Sequence, residues 1–282
     1  MSAPALARLS AIADRYDALF CDAWGVIHDG VRLFGGVAEA LVAFRKTRGP
    51  VVILTNAPRP SSVIPAQLDR IGLPRDAYDA VTTSGDATRA LIAAKLPQPA
   101  LKIGPGKDDP LFEGLPIEFV GAEDAAFVIC TGLRDEVNEH PSSYRAELEG
   151  PARRGAAMVC ANPDRVVNWG GRMIWCAGAL ADVYEDLGGA VEQGGKPYAP
   201  IYDLAHKAAE KAAGRALDRR RILAVGDGLH TDILGANRNG LDVVYVAGAG
   251  GVHEGATDAD AVAALLAREG LVAVASMESL RW

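Results

Sequence analysis

A few polar residues stand directly after apolar, strand-like runs: Asp22 after ALFC, Thr55 and Asn56 after VVIL, and Asp227 after RILAVG. Asp232 lies in the next predicted helix, and Lys196 sits in the loop GGKP. A carboxylate on a rigid strand end can attack phosphorus and split a hard displacement into two easier steps. Three carboxylates facing one dianionic phosphate would repel it, so such a cluster requires a divalent cation. Magnesium suits it, taking a couple of carboxylates, waters and a phosphate oxygen. Threonine and asparagine offer hydrogen-bond donors to an oxyanion, and lysine neutralises charge on a transferring phosphoryl group. Each residue alone also has a plain structural use. Asp22 can cap a turn, Thr55 and Asn56 a helix, and Asp232 can complement a helix macrodipole.

The elements that must position these residues are legible as alternating patterns. ALFCDAW, PVVILTN, DAVTTS, ALKIG, AFVICTG, AAMVCAN, RILAVGD, DVVYVAG and LVAVAS read as buried strands. They are continuous apolar runs, as a sheet covered on both faces requires. Helical patterns lie between them, over 37–48, 61–71, 86–95, 144–153, 177–187, 199–214, 231–239 and 258–268. This alternation predicts an α/β fold with a mainly parallel, doubly wound sheet. Ligands in such sheets bind outside the carboxyl ends of the strands, where the candidate residues cluster. Leu6, Leu9 and Ile12 predict a short amphipathic helix at the N-terminus, and GGAVEQGGKP (188–197) reads as a hinge loop.

The 282 residues suffice for one large domain or two modest ones. A net charge of -7 and no basic stripe argue against a nucleic-acid partner. No apolar run approaches bilayer-spanning length, and the N-terminus lacks a signal-peptide pattern, so a cytoplasmic protein without a membrane partner is expected. Cys21, Cys130, Cys160 and Cys176 show neither zinc spacing nor a redox CxxC. His140, His206 and His253 read as surface residues, whereas His28 and His230 flank the motifs.

In order and spacing, FCDAWGVIHDG, LTN, GGKP and GDGLHTDILGA resemble the four motifs of the haloacid dehalogenase superfamily. The chain between LTN and GGKP, with CANPD (160–164) near its end, resembles the α/β cap of the class IIA subfamily. That subfamily includes sugar-phosphate, nucleotide, phosphoglycolate and pyridoxal-phosphate phosphatases. The resemblance covers nearly the whole chain. It implies a Rossmann-like core over 1–82 and 190–282 with a cap over 83–189. It further implies Asp22 as nucleophile, Asp22, Asp227 and the Trp24 main-chain carbonyl as Mg2+ ligands with Asp232 supporting them, Thr55 and Asn56 on phosphate, and Lys196 as the catalytic cation that also binds phosphate. A small-molecule phosphate is the implied partner, and caps of this subfamily often pair into homodimers.

Competing motifs fail. GGKP is no Walker A loop, since Pro197 follows the lysine. Gly104-Pro105-Gly106 lacks the third glycine of a dinucleotide fingerprint, and no glycine stands two before Ser84 as a nucleophile elbow requires.

One departure matters. Phosphatases of this family usually carry a second aspartate two residues after the nucleophile, as general acid and base. Here that position is Trp24, whose indole cannot titrate at working pH. His28 or Asp29 could substitute. Two readings follow: a phosphomonoester hydrolase whose cap closes over the site, or a phosphate-ligand binding or regulatory protein with weak turnover, in which Trp24 stacks on the ligand. A receiver domain ranks third, because it lacks a cap-sized insertion. Asn162, Asp164, Arg134 and Asp135 are specificity candidates by position.

Overall fold

The computed structural model describes residues 3–248 and 258–282, so His253 lies outside the described residues. In chain order the strands are β1 (Ala18–Cys21), β2 (Val51–Thr55), β3 (Ala80–Thr83), β4 (Ala100–Ile103), β5 (Phe127–Cys130), β6 (Ala157–Cys160), β7 (Val166–Trp169), β8 (Arg172–Trp175), β9 (Val191–Gln193), β10 (Ile222–Gly226), β11 (Asp242–Val246) and β12 (Ala275–Met277). They form a six-stranded sheet in the order β12-β11-β10-β1-β2-β3, a four-stranded sheet β4-β5-β6-β9 and the ribbon β7-β8. All neighbours in the two larger sheets run parallel, and the ribbon is antiparallel. This is the expected α/β core with an inserted α/β cap.

Strands β1, β2 and β10 are buried along their whole length, which explains their unbroken apolar runs. Leu19, Cys21, Ile53 and Val225 enter one cluster with the helix Val37–Thr47, through Leu41 and Phe44. Phe20, Val52, Leu54 and Ala224 enter the opposite cluster with the helix Ala199–Ala213, through Ile201, Tyr202 and Ala205. The cap sheet is covered on both faces in the same way, by Leu148, Leu180 and Tyr184 on one and Ile92, Leu111 and Phe112 on the other.

Three local expectations need correction. The N-terminal segment makes two short 3-10 turns, Leu9–Ala11 and Ala13–Arg15, instead of an amphipathic helix. Tertiary pairing overrides the pattern there: Leu6 N–H donates to the Ser276 carbonyl and Leu9 N–H to that of Arg281. The segment 188–197 is not wholly loop, because Val191–Gln193 adds the edge strand β9 beside β6. Within LVAVAS only Ala275 and Ser276 are in strand, paired with β11 as part of β12. Among the described residues no helix is long and apolar enough to cross a membrane.

Candidate active site

The central strand β1 lies between β10 and β2, so the residues leaving those three carboxyl ends are neighbours in space. The Asp22 N–H donates to the Val225 carbonyl at 2.9 Å, extending the ladder one residue past β1 and fixing the direction of its side chain. Asp227 leaves β10 beside it. The next turn is wide: the N–H groups of Asp232 and Ile233 both donate to the Gly228 carbonyl, at 2.9 and 3.0 Å. That turn brings Asp232 back onto the strand end, where its Oδ2 accepts from the Gly228 N–H at 3.1 Å. One carboxylate oxygen from each of Asp22, Asp227 and Asp232 lies within 4.8 Å of the others, and all three side chains are buried.

Lys196 closes the cluster. Its Nζ donates to Asp22 Oδ1 at 2.6 Å and to Asp232 Oδ1 at 2.7 Å. The loop carrying it is held by Asn56, whose Oδ1 accepts from the Lys196 N–H at 2.8 Å. Asn56 Nδ2 donates back to the Lys196 carbonyl at 3.3 Å and to Asp164 Oδ1 at 2.9 Å. The Asn56 amide is therefore committed to protein acceptors and fixes the lysine loop, a different use from the phosphate contact expected of it. Gly195 is required for that approach, since a Cβ there would fall 2.6 Å from Asn56 Oδ1. Thr55 Oγ1 accepts from the Ala57 N–H at 3.2 Å, which leaves the hydroxyl hydrogen free to donate. Thr55 and Asn56 are buried at the end of β2 and do not line the cleft beside Asp22.

Three carboxylates face one ammonium here, and the imbalance shows in the titration behaviour. Burial, then the charge of Asp232, pushes the Asp22 carboxyl up to about 7, against the opposing pull of Lys196. Burial, then Asp22, holds Asp227 well above the usual carboxylate range. Lys196 is held well above the ordinary lysine value: burial alone would lower it, but the surrounding carboxylates, Asp22 first, prevail. Among the described residues no protein donor reaches the Asp227 carboxylate, which rests against the backbone of Gly25. A Cβ on Gly25 would stand 2.2 Å from Asp227 Oδ2. Buried, acceptor-only oxygens in surplus over their counter-charge are the donor set of a hard divalent cation.

The cleft beside these groups is lined by Trp24, Asp164, Val167 and Asn168 as well as Asp22, Lys196, Asp227 and Asp232. Part of its roof is the β7–β8 ribbon, which sequence reasoning missed. The available signal was Gly170-Gly171 between VVNW and RMIW, since both glycines take positive φ (57° and 92°), as a tight hairpin turn requires. The ribbon is docked on the loop after β1, where the Gly170 N–H donates to the Asp29 carbonyl at 3.0 Å.

Trp24 packs edge-on against His28, with ring centroids 5.0 Å apart. His28 is buried, and its Nδ1 accepts from the Gly30 N–H at 2.9 Å. Burial pushes its pKa down to about 4, so it is neutral at physiological pH. Asp29 Oδ1 accepts from the N–H groups of Val31 and Arg32, at 3.0 and 2.7 Å. Neither His28 nor Asp29 lines the cleft, so neither stands in for the missing second aspartate there. The one cap carboxylate lining it is Asp164, which burial holds above the usual range. Asn162 is also buried near the cleft, whereas Arg134 and Asp135 are exposed, Arg134 pairing with Glu147 at 2.7 Å. His230 is exposed; His206, expected at the surface, is partly buried with Nε2 3.0 Å from the Leu217 carbonyl.

This fold and strand-end cluster define a haloacid dehalogenase-type hydrolase, and comparison with known proteins agrees. Residues 19–117 match the family model for haloacid dehalogenase-like hydrolases, and residues 193–270 match a second HAD-like hydrolase model. A solved structure of a haloacid dehalogenase-like hydrolase from Brucella suis 1330 is 42% identical, with a TM-score of 0.87, over 97% of this chain and 98% of that one. The chain belongs to the haloacid dehalogenase-like hydrolase family. It is also 27% identical, over 84% of its length, to the D-glycerol 3-phosphate phosphatase of Mycobacterium tuberculosis (strain ATCC 25618 / H37Rv), and spans 65% of that relative. A structure of a glycerol phosphate phosphatase from Mycobacterium tuberculosis in complex with magnesium is 26% identical, with a TM-score of 0.63, over 90% of this chain and 72% of that one.

Proposed function

We propose that the protein is a magnesium-dependent phosphomonoester hydrolase acting on a small phosphorylated metabolite through an aspartyl-phosphate on Asp22. The observation that carries this reading is the Lys196 ammonium bridging Asp22 and Asp232, beside an Asp227 carboxylate that no protein donor among the described residues satisfies. Asp22, Asp227, Asp232 and the Trp24 carbonyl would hold Mg2+, which would neutralise phosphate charge that three carboxylates would otherwise repel. The magnesium complex of the related glycerol phosphate phosphatase supports the same metal.

Lys196 orients the Asp22 carboxylate and offsets charge on the transferring group. One Asp22 oxygen forms a bond to phosphorus while the bond from phosphorus to the ester oxygen breaks. The departing alkoxide takes a proton from Asp164. Water then attacks the acyl phosphate, returns a proton to Asp164, releases inorganic phosphate and restores the Asp22 carboxylate. Asp164 suits the part because it lines the cleft and burial holds its carboxyl above the usual range, while Trp24 cannot titrate.

A phosphate-release screen over sugar phosphates, nucleotides and pyridoxal phosphate, with and without Mg2+, tests the reading. Release should require Mg2+ and disappear in Asp22→Asn. Ligand-dependent stabilisation without hydrolysis would favour the binding-protein alternative that Trp24 raises.

A further inference from the structure

A second cavity lies on the cap side of Trp24 and shares Trp24, Asp164 and Val167 with the cleft beside Asp22. It is built at the carboxyl ends of three neighbouring cap strands, the position where parallel sheets bind ligands. Lys107 and Asp108 follow β4, Thr131 and Glu136 follow β5, and Asn162 follows β6. Asp108 is only 1% exposed, and among the described residues the Thr131 hydroxyl is the one neutral donor near its carboxylate, without forming a hydrogen bond of full geometry to either oxygen. The nearest cation, Arg59, stays 3.8 Å from Asp108 Oδ1, and its Nη2 is turned to Gln67 Oε1 at 2.5 Å. A buried carboxylate this short of donors is costly, so it points to a ligand that supplies more.

The charges decide the ligand's class. Lys107 is ion-paired with Glu136 and Arg59 offsets Asp108, which leaves Asp164 as one carboxylate in excess, so the cavity does not call for a second anionic group. Its remaining wall is apolar, with Trp24, Pro58, Val167 and Ile174 able to cover a face of C–H bonds. We propose that this cavity is the subsite for the substrate's leaving group, and that Asp108 selects a neutral polyhydroxylated one by accepting hydrogen bonds from its hydroxyls. The proposal rests on the phosphatase reading and extends it to a specificity residue: a sugar or polyol monophosphate is preferred over an aryl, nucleotide or carboxylate-bearing phosphate.

The test compares kcat/KM for hexose, pentose and glycerol phosphates with that for p-nitrophenyl phosphate, which has no hydroxyl to offer. In the wild type at least one polyol phosphate should be preferred over the nucleotide and carboxylate-bearing esters. Asp108→Asn should cost that substrate about tenfold or more beyond any loss on p-nitrophenyl phosphate, as removal of a charged hydrogen-bond acceptor does. Thr131→Val should act in the same direction and more weakly, which guards against a folding defect in the Asp108 variant. An equal loss on both substrates, or a wild type that prefers nucleotides or phosphocarboxylates, would overturn the subsite. Thermal shift by the same polyol phosphates with Mg2+, on Asp22→Asn protein with and without Asp108→Asn, separates the two readings. An Asp108-dependent shift beside a wild type that releases no phosphate from the same substrates sinks the phosphatase reading alone, and a shift indifferent to Asp108 sinks the subsite.

Discussion

Lys196 Nζ stands 2.6 Å from Asp22 Oδ1 although 174 residues separate the two in the chain, with the entire cap folded between them. Both groups are almost wholly buried, so the contact is a desolvated ion pair shared with a second carboxylate, Asp232. Breaking such a pair from one side leaves uncompensated buried charge, which typically costs about 3–5 kcal/mol. Lys196→Met should therefore lower stability by about that amount at neutral pH without Mg2+, and lower kcat by roughly a hundredfold or more. Chemical denaturation beside steady-state kinetics checks both effects. A variant with wild-type stability and turnover would show that the lysine is not coupled to Asp22.

The pH dependence follows from Asp22. Its carboxyl is raised in the folded protein, from an ordinary value near 3.8 to about 7. The folded state thus binds more protons than the unfolded chain between those values. Its stabilising contribution is complete below about pH 4 and is lost as pH rises through about 7. A cation at the site competes with that proton, so stabilisation by Mg2+ should grow over the same window. Melting curves at about pH 5 and about pH 8, with and without Mg2+, should show the larger metal-induced rise in Tm at the higher pH. An equal rise at both would mean that Asp22 is not among the groups the metal meets.

Gly25 has a φ of 84°, and the space a side chain would need is filled by the Asp227 carboxylate. Gly25→Ala combines left-handed backbone strain with a collision at Asp227. It should destabilise the fold by about 1–3 kcal/mol and weaken Mg2+ binding, seen as a higher metal concentration for half-maximal activity. Unchanged metal dependence would place Asp227 outside the cation site.

Much of this site is legible in the sequence because polar residues that follow β1, β2 and β10 interrupt fully apolar runs. Asp22, Asp227, Asp232 and Lys196 come together in space as the motif order implies. The use of Asn56 was not legible, because its partner is the backbone of a loop 140 residues away, a relation set by the fold. Asp108 was equally hidden: in GPGKDDPLF it looks like a surface turn, and only the packing of β4, β5 and β6 buries it. The ribbon over the site went unread because its strands are half-exposed and carry no clean alternation, leaving Gly170-Gly171 as the signal.

If Asp164 protonates the leaving oxygen, its removal should matter most where that oxygen is a poor leaving group. Asp164→Asn should reduce kcat on alkyl phosphates by about a hundredfold or more and on p-nitrophenyl phosphate much less. Uniform loss across leaving groups would assign Asp164 to holding Asn56, to which it is bonded at 2.9 Å. Trp24→Asp in the same background, which returns a carboxylate to the customary position, should recover part of the alkyl phosphate activity.

In the proposed reaction Asp22 itself carries the phosphoryl group. Acid quenching of the protein during turnover with Mg2+, followed by intact-mass and peptide mass spectrometry, addresses it directly. One phosphoryl addition is expected on the peptide containing Asp22, labile to hydroxylamine and absent in Asp22→Asn. Turnover with no covalent phosphate, or with phosphate on any other residue, would contradict it.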